Sequence, residues 1–269
     1  MLELRNVSVG YGGKSIISNA CAQLGRGELV SLLGANGAGK STLIRTLSGE
    51  MCPAEGKVLM EGREICDVPR RVLSTLVSIV STDRVAVEAL SVREVVEMGR
   101  YPYTGFMGRL CKEDAVIVDE AMEVTGTARF GCRYMGALSD GERQKVMIAR
   151  ALAQQTPVVL LDEPTAFLDV ASRVEVLALL RRLAAVHGKG VLLSSHDIPS
   201  ALEMSDRIWL LPGDGSLLTD TPGHLIEQQQ NKAPGNALDA LFAGRDVRFD
   251  ANRLDYVGLD SSGCVYQRE

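Results

Sequence analysis

Apolar positions along the chain change spacing several times, and each change marks an element. Leu2 to Val9 and Ser15 to Leu24 are short apolar segments broken by Gly12 and Gly13, which predicts a hairpin or two strands of a small β layer. Glu28 to Leu33 reads as a buried strand, followed by a glycine-rich turn and a helical pattern from Lys40 to Leu47. Val158 to Leu161 and Val191 to Ser194 are apolar runs that each follow a helix-period segment, the alternation of a parallel sheet with crossover helices. Between the first helix and Val158, at about residues 83–155, the character differs. Helix patterns at Ser91 to Met98 and Lys112 to Val124 alternate with the turn formers Gly105, Gly108, Gly126 and Gly131, which predicts a mainly helical insert lobe. After Trp209 come a Gly/Pro-rich turn, a short strand and a short helix near Thr221 to Gln228. Residues 229–269 then read as a linker and a polar tail.

Composition narrows the class. With 46% hydrophobic, 23% charged and only 4% aromatic residues and a mean hydropathy of +0.07, the 269-residue chain has the make-up of a globular α/β protein. Its net charge of -5 and the lack of any Lys/Arg run longer than a pair argue against a nucleic-acid partner. Six scattered cysteines, with no C-x-x-C pair, point to reduced thiols rather than a metal site. The start of the chain carries Glu3 and Arg5 instead of a continuous apolar signal region, and no apolar run reaches the roughly 18 to 20 residues of a spanning helix. Work at a membrane would therefore require another chain to hold this one there.

Three segments carry the chemistry. The first is G-A-N-G-A-G-K-S, from Gly34 through Ala35, Asn36, Gly37, Ala38, Gly39 and Lys40 to Ser41, with Thr42 next. It fits the P-loop pattern, in which glycines let backbone N–H groups wrap phosphates, the lysine neutralises the β and γ phosphates and the serine hydroxyl ligates Mg²⁺. The second is V-V-L-L-D-E-P, a strand ending in Asp162 and Glu163. Successive strand residues face opposite ways, so the two carboxylates cannot play the same part. Asp162 suits Mg²⁺ and Glu163 the polarising of an attacking water. The third is L-S-D-G-E-R-Q, where Ser139 and Glu142 form a capping box that opens a long helix. By its residues alone it is either just a well-capped helix or one whose N-terminus meets an anion.

Together these motifs resemble the nucleotide-binding subunit of the ATP-binding-cassette (ABC) family over about residues 1–228. The resemblance implies an α/β fold: a P-loop ATPase core with a parallel sheet, an N-terminal antiparallel β layer and a helical insert lobe. It implies ATP and Mg²⁺ as ligands and a head-to-tail dimer in which Ser139 and Gly141 of one copy complete the ATP site of the other. Tyr11 matches the aromatic that stacks on adenine. Phe167, Leu168 and Asp169 resemble the loop that links the two sites, and His196 in S-S-H-D stands at the γ-phosphate sensor position. Thr82 occupies the place of the usual Mg²⁺-binding glutamine, so Thr82 or Asp83 is expected to take that role. Asp140 replaces a usual glycine in the signature loop and is expected to point away from the nucleotide. The segment Leu90 to Gly105 resembles importers of iron-siderophores, haem and cobalamin. That resemblance implies transmembrane permease partners, an indirect link to a substrate-binding protein, and a peripheral location on the cytoplasmic face of the inner membrane. The competing class is an ABC ATPase without transport, such as one acting in iron-sulfur assembly.

Overall fold

The structure is a computed structural model that describes residues 1–81, 87–105, 108–231, 237–242, 247–250 and 253–258. Strands β1 (Leu2–Tyr11) and β2 (Lys14–Leu24) pair antiparallel, and Tyr11 opposite Lys14 leaves a two-residue turn. Gly12 and Gly13 both have positive φ, 58° and 79°, the conformation that a tight hairpin requires and glycine adopts without a Cβ penalty. Helix α1 (Lys40–Leu47) leads from β3 (Leu29–Gly34) to β4 (Glu55–Met60) and β5 (Arg63–Glu64), which complete a four-stranded antiparallel layer in the order β2-β1-β4-β5.

A short helix α2 (Arg70–Leu73) precedes β6 (Val77–Val80). The lobe follows, with α3 (Val92–Glu97), α4 (Lys112–Thr125) and α5 (Asp140–Ala153). Then come β7 (Val158–Leu161), α6 (Val170–Ala185), β8 (Gly190–Ser195), α7 (Ile198–Met204), β9 (Arg207–Leu211), β10 (Leu218–Asp220) and α8 (Pro222–Gln230). The second sheet has the order β10-β9-β3-β8-β7-β6 and is parallel except for β10. Every residue of β3, β7 and β8 is buried, because helices and the antiparallel layer cover both faces.

Period-2 alternation sorts these strands between two cores. Val30, Leu160 and Leu192 face α1 and the antiparallel layer, alongside Leu43, Leu47 and Trp209. Leu29, Val159, Leu161, Val191 and Leu193 face α5 and α6, in a core that runs without a break into Val92, Val96, Val118 and Met122 of the lobe. The lobe thus rests on the sheet's own core. Arg100, in the 3-10 turn Met98–Tyr103, ties it further. This buried side chain donates from Nε to Asp114 Oδ1 at 2.8 Å and from Nη1 to Ala153 O at 2.7 Å, and lies 4.1 Å over the Tyr103 ring. A guanidinium meeting a carboxylate, a helix-end carbonyl and a ring together is a joint that lysine could not reproduce.

The segment beyond Gln228, read from sequence as linker and tail, has structure of its own. It holds α9 (Ala237–Ala240) and the antiparallel pair β11 (Val247–Asp250) and β12 (Asp255–Gly258). Leu238, Leu241 and Phe249 join Leu33, Ile198, Leu210 and Leu225 in a third core. Three apolar residues spread over twelve positions carry no readable period, which is why the pattern hides them.

Candidate active site

The parallel register brings the ends of β3, β8 and β7 side by side, with Leu32 opposite Ser194 and Leu161 opposite Leu193. Gly34, His196 and Asp162 therefore leave the sheet at one edge, where ligands bind in such folds. The Gly34–Lys40 loop turns there through positive φ at Gly37 (82°) and Gly39 (100°). At Gly39 a Cβ would also come within 2.8 Å of Ile16, so both backbone angle and packing demand glycine. Lys40 is only 5% exposed. Its ammonium donates to Gly34 O at 2.8 Å and Ala35 O at 3.3 Å and lies 3.5 Å from Glu163 Oε1. A cation is thus fixed beneath the loop, beside the free N–H groups that open α1, and the two together favour an anion. Asn36, Gly37, Gly39, Lys40, Ser41 and Thr42 line one cavity of about 310 Å³ with Asp162 and Glu163.

One buried hydroxyl organises both carboxylates. Ser194 Oγ donates to Asp162 Oδ1 at 2.7 Å and accepts the Glu163 N–H at 2.7 Å. Glu163 takes the left-handed backbone region (φ 44°), uncommon for a residue with a side chain, and the bond from its amide holds it there. Both carboxylates border the cavity around Lys40, and each also lines a cavity the other does not. Asp162 shares a second cavity with Tyr11, Ser41 and Ser81, while Glu163 faces Lys40 and a third cavity of about 430 Å³ with Gly34, Asn36 and His196. Ser41, Ser81 and Asp162 offer only hard oxygen donors, the set that Mg²⁺ takes. Thr82 and Asp83, expected at this point, lie outside the described residues.

His196 is exposed at the end of β8. The loop that carries it is anchored through Asp197, whose amide donates to Ser195 Oγ at 3.0 Å and whose carboxylate accepts from Ser200 Oγ at 2.7 Å and Arg173 Nη1 at 3.2 Å.

The expected signature segment opens α5 as the sequence predicts, and its Asp140 and Gln144 line a cavity with Glu163. Ser139 caps α5 reciprocally: its Oγ accepts the Glu142 N–H at 3.3 Å and its own N–H donates to Glu142 Oε2 at 2.9 Å. Neither Ser139 nor Gly141 lines the cavity around Lys40. Gly141 packs on α6, where a Cβ would meet Ser172 Oγ at 2.5 Å. Asp140 turns back toward Arg143 of its own helix, 3.7 Å away. Of the linking loop, Asp169 caps α6 by accepting the Ser172 N–H at 2.9 Å, Leu168 packs on the core, and Phe167 is 80% exposed. Sequence reading missed Ser194 and Arg173. Two serines closing the apolar run of β8 are the trace of the first, and no local pattern marks the second.

These features match known proteins. A family model described as ABC transporter matches residues 17–166. The achromobactin transport ATP-binding protein of Dickeya dadantii is 36% identical over 224 residues, covering 83% of this chain and 83% of its own length. The iron(3+)-hydroxamate import ATP-binding protein of Bacillus subtilis is 38% identical over 204 residues, covering 76% of each. Among solved structures, a dimeric bacterial ABC transporter cassette matches with a TM-score of 0.71 at 28% identity, over 82% of this chain and 99% of that one. The family model spans more than half of the sequence, and the relatives cover most of it: the chain belongs to the ABC transporter family, among its ATP-binding, ATP-hydrolysing cassettes.

Proposed function

We propose that this chain is the ATP-hydrolysing subunit of an importer that takes up an iron-siderophore, haem or cobalamin type substrate through a partner permease, with residues 1–228 as its ATPase domain. The observation that carries the ATPase assignment is the meeting of Lys40, Ser41, Asp162 and Glu163 around one cavity at the sheet edge. The names of the relatives, achromobactin transport and iron(3+)-hydroxamate import, support the cargo class. Among the described residues no helix is long and apolar enough to cross a membrane, so the path for the cargo falls to another chain. We place the subunit on the cytoplasmic face of the inner membrane.

In this reading the Gly34–Lys40 backbone and the Lys40 ammonium bind the β and γ phosphates, and Tyr11 stacks on the adenine. Ser41 and Asp162, with Thr82 from its sequence position, hold Mg²⁺, which supplies charge neutralisation on the phosphates. Glu163 accepts the proton of the attacking water as its oxygen bonds to the γ phosphorus and the bond to the ADP oxygen breaks. His196 steadies the γ phosphate. The separation of Ser139 and Gly141 from the Lys40 cavity supports a composite site, completed by those two residues of a second copy docked head to tail.

The test is Glu163→Gln in the full chain. ATP turnover should fall by about 10²-fold or more while ATP binding is kept and a dimer accumulates with ATP. Wild-type turnover would remove Glu163 from the chemistry. For the transport reading, the chain should copurify with a polytopic permease. Recovery in a soluble complex without one would favour the non-transport class.

A further inference from the structure

The cavity beside His196 has a wall that belongs to none of the motifs. Leu241, Phe242 and Tyr256, from the segment after α8, line it with Gly34, Asn36 and Glu163. The Tyr256 ring packs edge-on against Phe242 and Phe249, with centroids 6.0 and 5.9 Å away, and Phe249 is 1% exposed in the third core. The ring is thus seated by the C-terminal segment, while its hydroxyl reaches the histidine loop. It accepts the Ile198 N–H at 3.2 Å and donates to the carbonyl of His196 at 3.4 Å.

We propose that Tyr256 is a positioning residue for His196, through which the C-terminal segment sets the geometry of the γ-phosphate sensor. The inference rests on the reading of His196 given above. Asp197 is secured by Ser195, Ser200 and Arg173, so the middle of the loop is pinned from the core. The peptide groups on either side of it, the His196 carbonyl and the Ile198 amide, meet the Tyr256 hydroxyl. These two groups report the backbone angles from His196 to Ile198, and hence where the imidazole projects. The Ile198 amide is also one of the unpaired donors that open α7, which gives the tyrosine oxygen a partner it would otherwise lack. Burial raises the pKa of the Tyr256 phenol, so its proton stays available to the His196 carbonyl across the working range.

The experiment is a double-mutant cycle on ATP turnover with Tyr256→Phe and His196→Ala in the full chain. Phenylalanine keeps the ring and its packing, so the melt should stay near wild type, and exchange of the Ile198 amide reports the lost bond directly. We expect kcat to fall about tenfold in Tyr256→Phe with KM for ATP within about twofold, and Ile198 exchange to quicken by about tenfold. In the His196→Ala background the same change should alter kcat by less than about twofold. An unchanged kcat in Tyr256→Phe overturns the inference and leaves His196 untouched. An equal loss in both backgrounds overturns it too, because the tyrosine would then act on the fold at large. Wild-type turnover in His196→Ala would instead remove the sensor reading, and the inference with it.

Discussion

Ser194→Ala isolates what a single hydroxyl does for the two carboxylates. Ser194 is fully buried on β8, and alanine fills the same space apart from the oxygen. The change removes a bond to the Asp162 carboxylate and one from the Glu163 amide, both 2.7 Å. A hydrogen bond to a charged group contributes about 1.5–3 kcal/mol and a neutral one about 0.5–1.5, so the loss should total about 2–4 kcal/mol. For a domain of this size that lowers the melting temperature by about 4–16 °C. Without its anchor, Glu163 can leave the left-handed backbone region, whose occupancy costs about 1–2 kcal/mol. A displacement of about 1 Å at the reacting centre costs about 10²-fold in rate, so turnover should fall by about that factor. ATP binding should hold, since the polar partners of the Lys40 ammonium are Gly34, Ala35 and Glu163 rather than Ser194. Thermal melts and steady-state ATPase rates read both effects. Ser31→Ala is the comparison. It breaks a neutral bond from β3 to Ser205 at the end of α7 (2.7 Å), and should cost about 1 kcal/mol with wild-type turnover. If Ser194→Ala matched Ser31→Ala in both melt and rate, the coupling of the carboxylates through Ser194 would be refuted.

Two further outcomes test the helices around the site. Gly141→Ala should destabilise the chain by about 1–3 kcal/mol, because its Cβ would sit 2.5 Å from Ser172 Oγ and 2.8 Å from Ser172 Cβ. Adding Ser172→Gly opens that space and should restore most of the melting temperature; no recovery would show that the clash is not the cause. In the lobe, the Cys111 amide, the Cys111 thiol and the Arg100 guanidinium together hold the Asp114 carboxyl at about 2, below its ordinary 3.8. The folded value is the lower one, so this stabilisation is complete above about pH 4 and drains as pH falls toward 2, and Asp114→Asn should cost about 2 kcal/mol at neutral pH. Urea melts across that range should show the wild type losing its advantage over Asp114→Asn in acid; a gap that stays constant with pH would contradict the linkage.

Much of the molecule is legible in its amino-acid sequence. Lys40 to Leu47 and Val158 to Leu161 were bounded as the helix and the strand they form, since a glycine-rich turn and a D-E-P stop punctuate them. The hairpin at Gly12 and Gly13 and the capping box at Ser139 are readable for the same reason: each depends on residues a few positions apart. Arg100 shows the limit. Its sequence setting is a turn before a proline, yet its partners Asp114 and Ala153 lie 14 and 53 residues away.

The elements that carry the motifs, the edge of the sheet that bears the chemistry and the residue types gathered there are legible in the sequence, because local backbone preference and period-2 or 3.6 patterning act over short range, whereas α9, β11 and β12 carry no such period. How the site residues are held depends on contacts between elements far apart in the chain. The Ser194 link between the carboxylates, the Arg173 anchor on the histidine loop and the return of Tyr256 to that same loop all join residues at least 24 positions apart. Which distant side chains meet is set by the packing of whole elements, and no local pattern of residues encodes it.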